Sequence, residues 1–288
     1  QGGKEEQYNM ITVPRGGEFT LILSDGTQVW LNAETSLRYP VEFVGNERKV
    51  YLEGEAFFDV THDKQKQFVV ETEKAKVQVY GTAFNVYAYP NEYEVAATLV
   101  RGAIDLKERG SGNRIQLEPG EQGCLAGGKL TKREVDVDMY IAWITGRMVF
   151  KSICLGDMLK HLARWYDVNI VFTEERLKEV SFTGEVKKYD DFTEVLDVIE
   201  STQVVRFRIE DRTIIVNNYH KDVVPIDGLA PCFKPLAIDK ENQTIEAFGS
   251  DEMKILALQW HPERKFETAN ALEETRKLVV NFIQKHIK

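Results

Sequence analysis

The sequence predicts a mainly β fold in its first half, a small α+β region after it and an α/β fragment at the end. Three changes of pattern carry this reading. Apolar and polar residues alternate up to about residue 138, helical periods appear between short strands from Tyr140 to Asn217, and Pro225, Pro231 and Pro235 open a stretch of different composition. The expected boundaries are therefore 1–138, 139–217 and 218–288. With 288 residues, 43% of them hydrophobic, the chain can build two or three cores rather than one.

In the first region Phe19, Leu21 and Leu23 share a strand face, Asp25-Gly26 turns the chain, and Val29 and Leu31 resume the alternation, which predicts a hairpin. Further strands are expected over 49–60, 68–71, 76–86, 98–106 and 114–117, with turns at Pro119-Gly120 and Gly127-Gly128. Many short strands without a helix between them point to a sandwich or a β-helix-like stack. Gly26, Gly54, Gly81, Gly102 and Gly120 stand singly between strands and are read as turn glycines. A phosphate cradle would need a helix starting directly after them.

From residue 140 the period changes. Leu155, Met158, Leu159, Leu162 and Tyr166 recur at helical spacing, with strands expected at 147–150 and 169–172 on either side. A second unit follows: a strand at 180–183, a helix carrying Phe192, Val195, Leu196 and Ile199 behind a capping Asp190 or Asp191, then a hairpin of 204–209 and 213–216 turning at Asp211-Arg212. The order is β-α-β followed by β-α-β-β, a compact α+β arrangement. Beyond residue 217 a strand at 255–259 and a terminal helix with Leu272, Val279, Phe282 and Ile283 on one face are expected.

Composition removes several function classes. Lys+Arg of 37 against Asp+Glu of 46 gives a net charge of −9, so no nucleic-acid partner is expected. Cys124, Cys154 and Cys232 are too few and too widely spaced for a disulfide framework or a tetrahedral zinc site, and no cofactor is expected. His62, in a polar turn, and His161, on the polar side of a helix, are read as solvated. Trp30, Trp143 and Trp165 lie in apolar periodic segments and are assigned to core or interface packing. No run approaches the roughly 20 apolar residues of a membrane helix. The start, Gln1-Gly2-Gly3-Lys4, resembles no signal peptide, so a trimmed soluble piece is expected.

Five ordered segments, "LSDGTQVWLNAETSLRYP" (23–40), "VYLEGEAFFDV" (50–60), "VQVYGTAFNVYAY" (77–89), "TLVRGAIDL" (98–106) and "LEPGEQ" (117–122), resemble FecR-family regulators. "YIAWITGRMVF" (140–150), "DMLKHLARWYDVNIVF" (157–172), "FTGEV" (182–186) and "IIVN" (214–217) resemble that family's C-terminal module, a secretin and TonB short N-terminus-like domain. The resemblance implies the periplasmic part of an anti-sigma factor anchored in the inner membrane. It implies binding to the signalling domain of a TonB-dependent outer-membrane receptor and control of an ECF sigma factor through a cytoplasmic segment that this sequence lacks, as it lacks the anchor. It implies no enzymatic activity. In the residues themselves no acids, bases or metal ligands converge, while a small α+β module offers edge strands for pairing. Thr213, Ile214, Ile215 and Val216 are the expected partner-binding edge; alternatively these strands only close their own sheet.

The tail departs from that pattern. "VNNYH" (216–220), "TIEAF" (244–248) and "ILALQWHPE" (255–263) resemble the end of a class I glutamine amidotransferase or gamma-glutamyl hydrolase domain, which implies a fused fragment. In that family the His and Glu of this motif serve a cysteine nucleophile, which maps them to His261 and Glu263. Positions i and i+2 of an extended segment share a side, so the carboxylate could orient the imidazole. Cys154 in "SICLG" is the best nucleophile candidate, because a helix start lowers a thiol's pKa, although Ser152 stands where the motif has glycine. Cys124 in "EQGCLAGG" has no helix after it. The alternative function is thus a cysteine-dependent amidotransferase or hydrolase through Cys154, His261 and Glu263.

Overall fold

The computed structural model describes residues 6–188, 190–218, 224–225, 231–239, 244–250, 255–258 and 280. The chain divides into two compact units, residues 1–217 and 218–288.

The first unit opens with thirteen strands: β1 (Tyr8–Val13), β2 (Phe19–Ile22), β3 (Gln28–Leu31), β4 (Thr35–Pro40), β5 (Glu47–Asp59), β6 (Gln67–Glu71), β7 (Ala75–Val79), β8 (Ala83–Ala88), β9 (Glu94–Arg101), β10 (Ile104–Glu108), β11 (Arg114–Leu117), β12 (Glu121–Ala126) and β13 (Lys129–Glu134). They form one nearly barrel-shaped sheet in the order β11-β10-β7-β6-β5-β8-β9-β12-β13. β3 and β4 also pair with β5, β2 with β3 and β1 with β4. The β-rich expectation holds, and the predicted hairpin is β2 and β3, in register from Phe19↔Leu31 to Ile22↔Gln28.

β5 is the spine of this sheet. Its first half pairs in parallel with β6, from Glu47↔Gln67 to Tyr51↔Glu71, and antiparallel with β4. Its second half pairs with β8 and β3, from Gly54↔Ala88 and Leu31↔Ala56 onward. The change of partners falls at Gly54, whose φ is +113° and where a Cβ would stand 2.7 Å from the Cα of Thr35. Gly54 is thus no turn glycine, as expected from sequence, but the point where a continuous strand switches partners. Two expected strands are also split. Gly81 separates β7 from β8, with a Cβ position 2.7 Å from the Cα of His62, and Gly102 separates β9 from β10 at φ +100°.

Inside the sheet Phe58, Phe68 and Phe84 are fully buried, with the Phe58 and Phe84 rings stacked at 5.3 Å. Leu31, Leu37, Leu52, Leu99, Ile104 and Leu106 pack around them. Each such side chain contributes roughly 1.5–3 kcal/mol by leaving water.

The rest of the unit comprises α1 (Asp138–Ile141), a 3-10 turn at Ala142–Thr145, β14 (Arg147–Cys154), α2 (Leu155–Tyr166), β15 (Asn169–Phe172), a 3-10 turn at Glu175–Glu179, β16 (Ser181–Lys187), α3 (Phe192–Glu200), β17 (Val205–Glu210) and β18 (Thr213–Asn218). This is the β-α-β, β-α-β-β order read from the sequence. β14 pairs antiparallel with β16, and a second sheet runs β15-β18-β17, with β15 and β18 parallel. α2 buries Leu155, Leu159 and Leu162, the predicted stripe, and α3 buries Val195, Leu196 and Ile199. Asp191, not Asp190, caps α3: its Oδ1 accepts the Thr193 N–H at 2.7 Å.

In the second unit β21 (Thr244–Ser250) pairs antiparallel with β19 (Val224–Pro225), β20 (Lys234–Asp239) and β22 (Ile255–Leu258), burying Ile245 and Ala247. β22 is the strand expected at 255–259. The expected terminal-helix positions Leu272, Val279, Phe282 and Ile283 lie outside the described residues.

Gly54→Ala puts a methyl group into Thr35 and forces an L-residue into a positive φ. It is expected to lower stability by about 2–4 kcal/mol, read as a shift of the urea midpoint.

Candidate partner-binding site

The four residues expected to form a free edge lie in β18, the middle strand of its sheet. Asn169↔Thr213, Ile170↔Ile214, Val171↔Ile215 and Phe172↔Val216 pair it with β15, and β17 takes its other side. Ile214 and Val216 are buried in the core. Both backbone edges of Thr213 to Val216 are therefore spent, and an incoming strand has nothing to bond there. The hairpin at Asp211-Arg212 passes the free edge to β17.

β17 alternates: Val205 is buried, Phe207 is half-buried against the core, and Arg206 and Arg208 face outward. Ile209, 49% exposed, stands at its end. The Phe207 N–H donates to the Glu200 carboxylate of α3, so this N–H points away from β18. By alternation the backbone groups of Val205 and Ile209 point the same way. A carboxylate over one donor is a common means of blunting an exposed strand edge.

The proposed nucleophile is not activated. Cys154 is the N-cap of α2, and its Sγ donates to Asp157 Oδ2 at 3.1 Å. Burial, then the Asp157 carboxylate, push the thiol pKa up, opposite to the expected lowering. Cys124 likewise donates to Glu94, at 2.9 Å, and burial pushes it up to about 12. His261 and Glu263 lie outside the described residues.

What the sequence reading missed is the seam between the large sheet and the α+β region. Along β5, Ala56 and Phe58 face the sheet's own core while Glu55 and Phe57 face α2. Glu55 is only 6% exposed. Its two oxygens accept the side-chain amides of Asn32 and Asn85, each at 2.8 Å. Each asparagine uses its own oxygen to accept an indole N–H: Trp165 to Asn32 at 3.0 Å and Trp143 to Asn85 at 3.2 Å. One carboxyl group thus orients two amides that hold two buried tryptophans. The Trp143 and Trp165 assignment to packing is right, with this polar addition.

Beside it Arg164 of α2 is buried and reaches Glu34 at 3.1 Å, Tyr87 at 3.2 Å, Asn91 at 3.2 Å and Glu92 at 2.7 Å, lying 3.9 Å over the Tyr89 ring. Burial would raise the Glu92 pKa, but Arg164 and Lys160 hold it below the usual range. His161 is half-buried rather than solvated as expected: it packs against Tyr87 and Phe150, and burial pushes its pKa down to about 4. At the same C-terminal end of α2, Arg15 donates to the carbonyls of Ala163 and Val168, and the Gly16 N–H donates to the Arg164 carbonyl at 2.8 Å. These contacts satisfy helix-end carbonyls and place a cation at the negative end of the dipole.

A family model described as FecR protein matches residues 9–105, and one described as FecR, C-terminal, matches residues 147–216. The chain is 32% identical to a protein of Parabacteroides distasonis, assigned as an anti-sigma factor, whose crystal structure at 1.65 Å covers 73% of this chain and 99% of its own, with a TM-score of 0.68. The chain belongs to the FecR family of anti-sigma factors. A second crystal structure from the same organism, at 2.50 Å and also assigned as an anti-sigma factor, gives 31% identity, 74% and 99% coverage and a TM-score of 0.68. A comparison with curated proteins found no match. The two FecR matches fall on the large sheet and on β14 to β18, so the seam joins the two FecR parts. Family membership makes the chain a regulatory protein. Among the described residues no helix is long and apolar enough to cross a membrane.

Arg164→Met leaves Glu92 without its closest cation. It is expected to cost about 3 kcal/mol in urea denaturation. Cys154 is expected to react with a thiol-directed reagent at neutral pH more slowly than free cysteine, followed by labelling rate in the full chain.

Proposed function

We propose that this chain is the periplasmic, partner-binding part of an anti-sigma regulator anchored in the inner membrane. In this reading it receives its signal from the signalling domain of a TonB-dependent outer-membrane receptor and passes it to an ECF sigma factor through an N-terminal segment. The observation that carries it is the paired FecR match on a chain that covers 99% of a 32%-identical protein assigned as an anti-sigma factor. The β17 edge supports the mode of contact. Its outer backbone groups have no neighbouring strand among the described residues, and one donor is held only by the Glu200 side chain. An incoming strand displaces that carboxylate and pairs along Val205–Glu210.

Calorimetric titration with the N-terminal signalling domain of a TonB-dependent receptor from the same genome is expected to give saturable binding at micromolar or tighter Kd. No binding to any such domain at high micromolar concentration overturns the reading. Ile209→Pro removes an outward N–H at an exposed position. It is expected to weaken that binding at least tenfold while leaving the urea midpoint nearly unchanged; undiminished binding would move the contact away from β17.

A further inference from the structure

The Glu55 cluster has an unusual charge arrangement for a group 6% exposed. Among the described residues its hydrogen-bond donors are two neutral amides, one per oxygen. The nearest guanidinium, Arg164, spends its donors on Glu34, Tyr87, Asn91 and Glu92 instead. A carboxylate keeps its charge in an apolar seam only when cations or several donors replace water. Here two of its roughly four acceptor positions are filled, and no cation touches it.

The cluster also sits where two parts of the unit meet. Asn32, Glu55 and Asn85 belong to the large sheet, while Trp143 and Trp165 come from the α+β region. Ala33, Phe57 and Ala83 pack against Trp143, Leu162 and Trp165 in the same seam.

We propose that Glu55 is the proton-operated latch of this seam: with the carboxyl neutral the two indoles are held closed on the sheet, and with the carboxyl ionised the seam loosens. The titratable and charged groups around it are Tyr87 of β8, Tyr89 just after it, Glu92, and from α2 Arg164 and His161. Arg164 favours ionisation at a distance, while Tyr87 and Tyr89 are held neutral by burial. The sign follows from linkage. Burial raises the Glu55 pKa to about 7 from the ordinary carboxyl value of 4.5, so its contribution is full below about 4.5 and is lost as pH rises through about 7. His161 works in the opposite sense. Its depressed pKa contributes stability above about 6.5 that is lost as pH falls toward about 4. Between about 4.5 and about 6.5 the two slopes oppose each other, and from about 6.5 to about 7 only Glu55 continues to change.

The latch is read from the indole N–H resonances of the full chain labelled with 15N-tryptophan, taken from about pH 5 to about pH 8.5. There are four tryptophans, and Trp143→Phe and Trp165→Phe assign the two signals. Both are expected to shift together with one midpoint near neutrality, the midpoint disappearing in Glu55→Gln and persisting in His161→Gln. Signals that stay flat, or a midpoint that persists in Glu55→Gln or vanishes in His161→Gln, overturn the proposal. If Glu55→Gln does not fold, 13C-carboxyl glutamate labelling of the unmodified chain decides. One carboxyl titrating near pH 7 supports the latch, and every glutamate titrating in the ordinary range overturns it.

Discussion

The carboxyl group of Glu55 is the point on which the first unit depends. It lies one residue past Gly54, where β5 leaves β4 and β6 for β3 and β8, and by strand alternation it shares with Phe57 the face turned away from the sheet's own core. From there the order passes through two asparagine amides to two indoles. An apolar side chain in place of Glu55 would leave both amides buried without an acceptor, each costing about 1–3 kcal/mol. The surrounding apolar contacts supply most of the favourable energy, and the polar cluster fixes which of many possible packings is adopted.

A second set of contacts works on the same helix from outside. Arg164 is buried among Glu34, Glu92, Tyr87 and Tyr89, while Arg15 and Gly16 hold the carbonyls of the same last turn of α2. The C-terminal turn of α2 is therefore fixed by the sheet, and β15, which begins three residues after it, inherits that position. The same chain of contacts places β18 between β15 and β17. The outer strand of that sheet is therefore β17, one strand along from Thr213–Val216.

Local pattern made the elements of the α+β region legible almost residue by residue, because the stripe of Leu155, Met158, Leu159 and Leu162 and the turn at Asp211-Arg212 are short-range signals. The strand order is not short-range. Nothing in Thr213–Val216 itself says that β15, 44 residues earlier by the pairing of Asn169 with Thr213, will lie parallel to it. Gly81 and Gly102 were legible as turn glycines, yet the backbone they must admit, at His62 and Thr82, comes from residues that no local pattern brings near them. Glu55 was visible as an acid in an apolar strand segment, "LEGEAFF", and that was the available sign of the seam. Its partners Asn32 and Asn85 sit 23 and 30 residues away, beyond any periodicity. The family resemblance, by contrast, was carried by ordered motifs and needed no three-dimensional information.

The contact of Arg15 with Ala163 spans 148 positions. During synthesis the large sheet can pair while the later residues are still unmade, but the turn after β1 has no helix to grip until α2 emerges. The chain therefore completes its first loop among its last steps. In a growing polypeptide, the turn after β1 stays open to chaperones and proteases until the α+β region has formed.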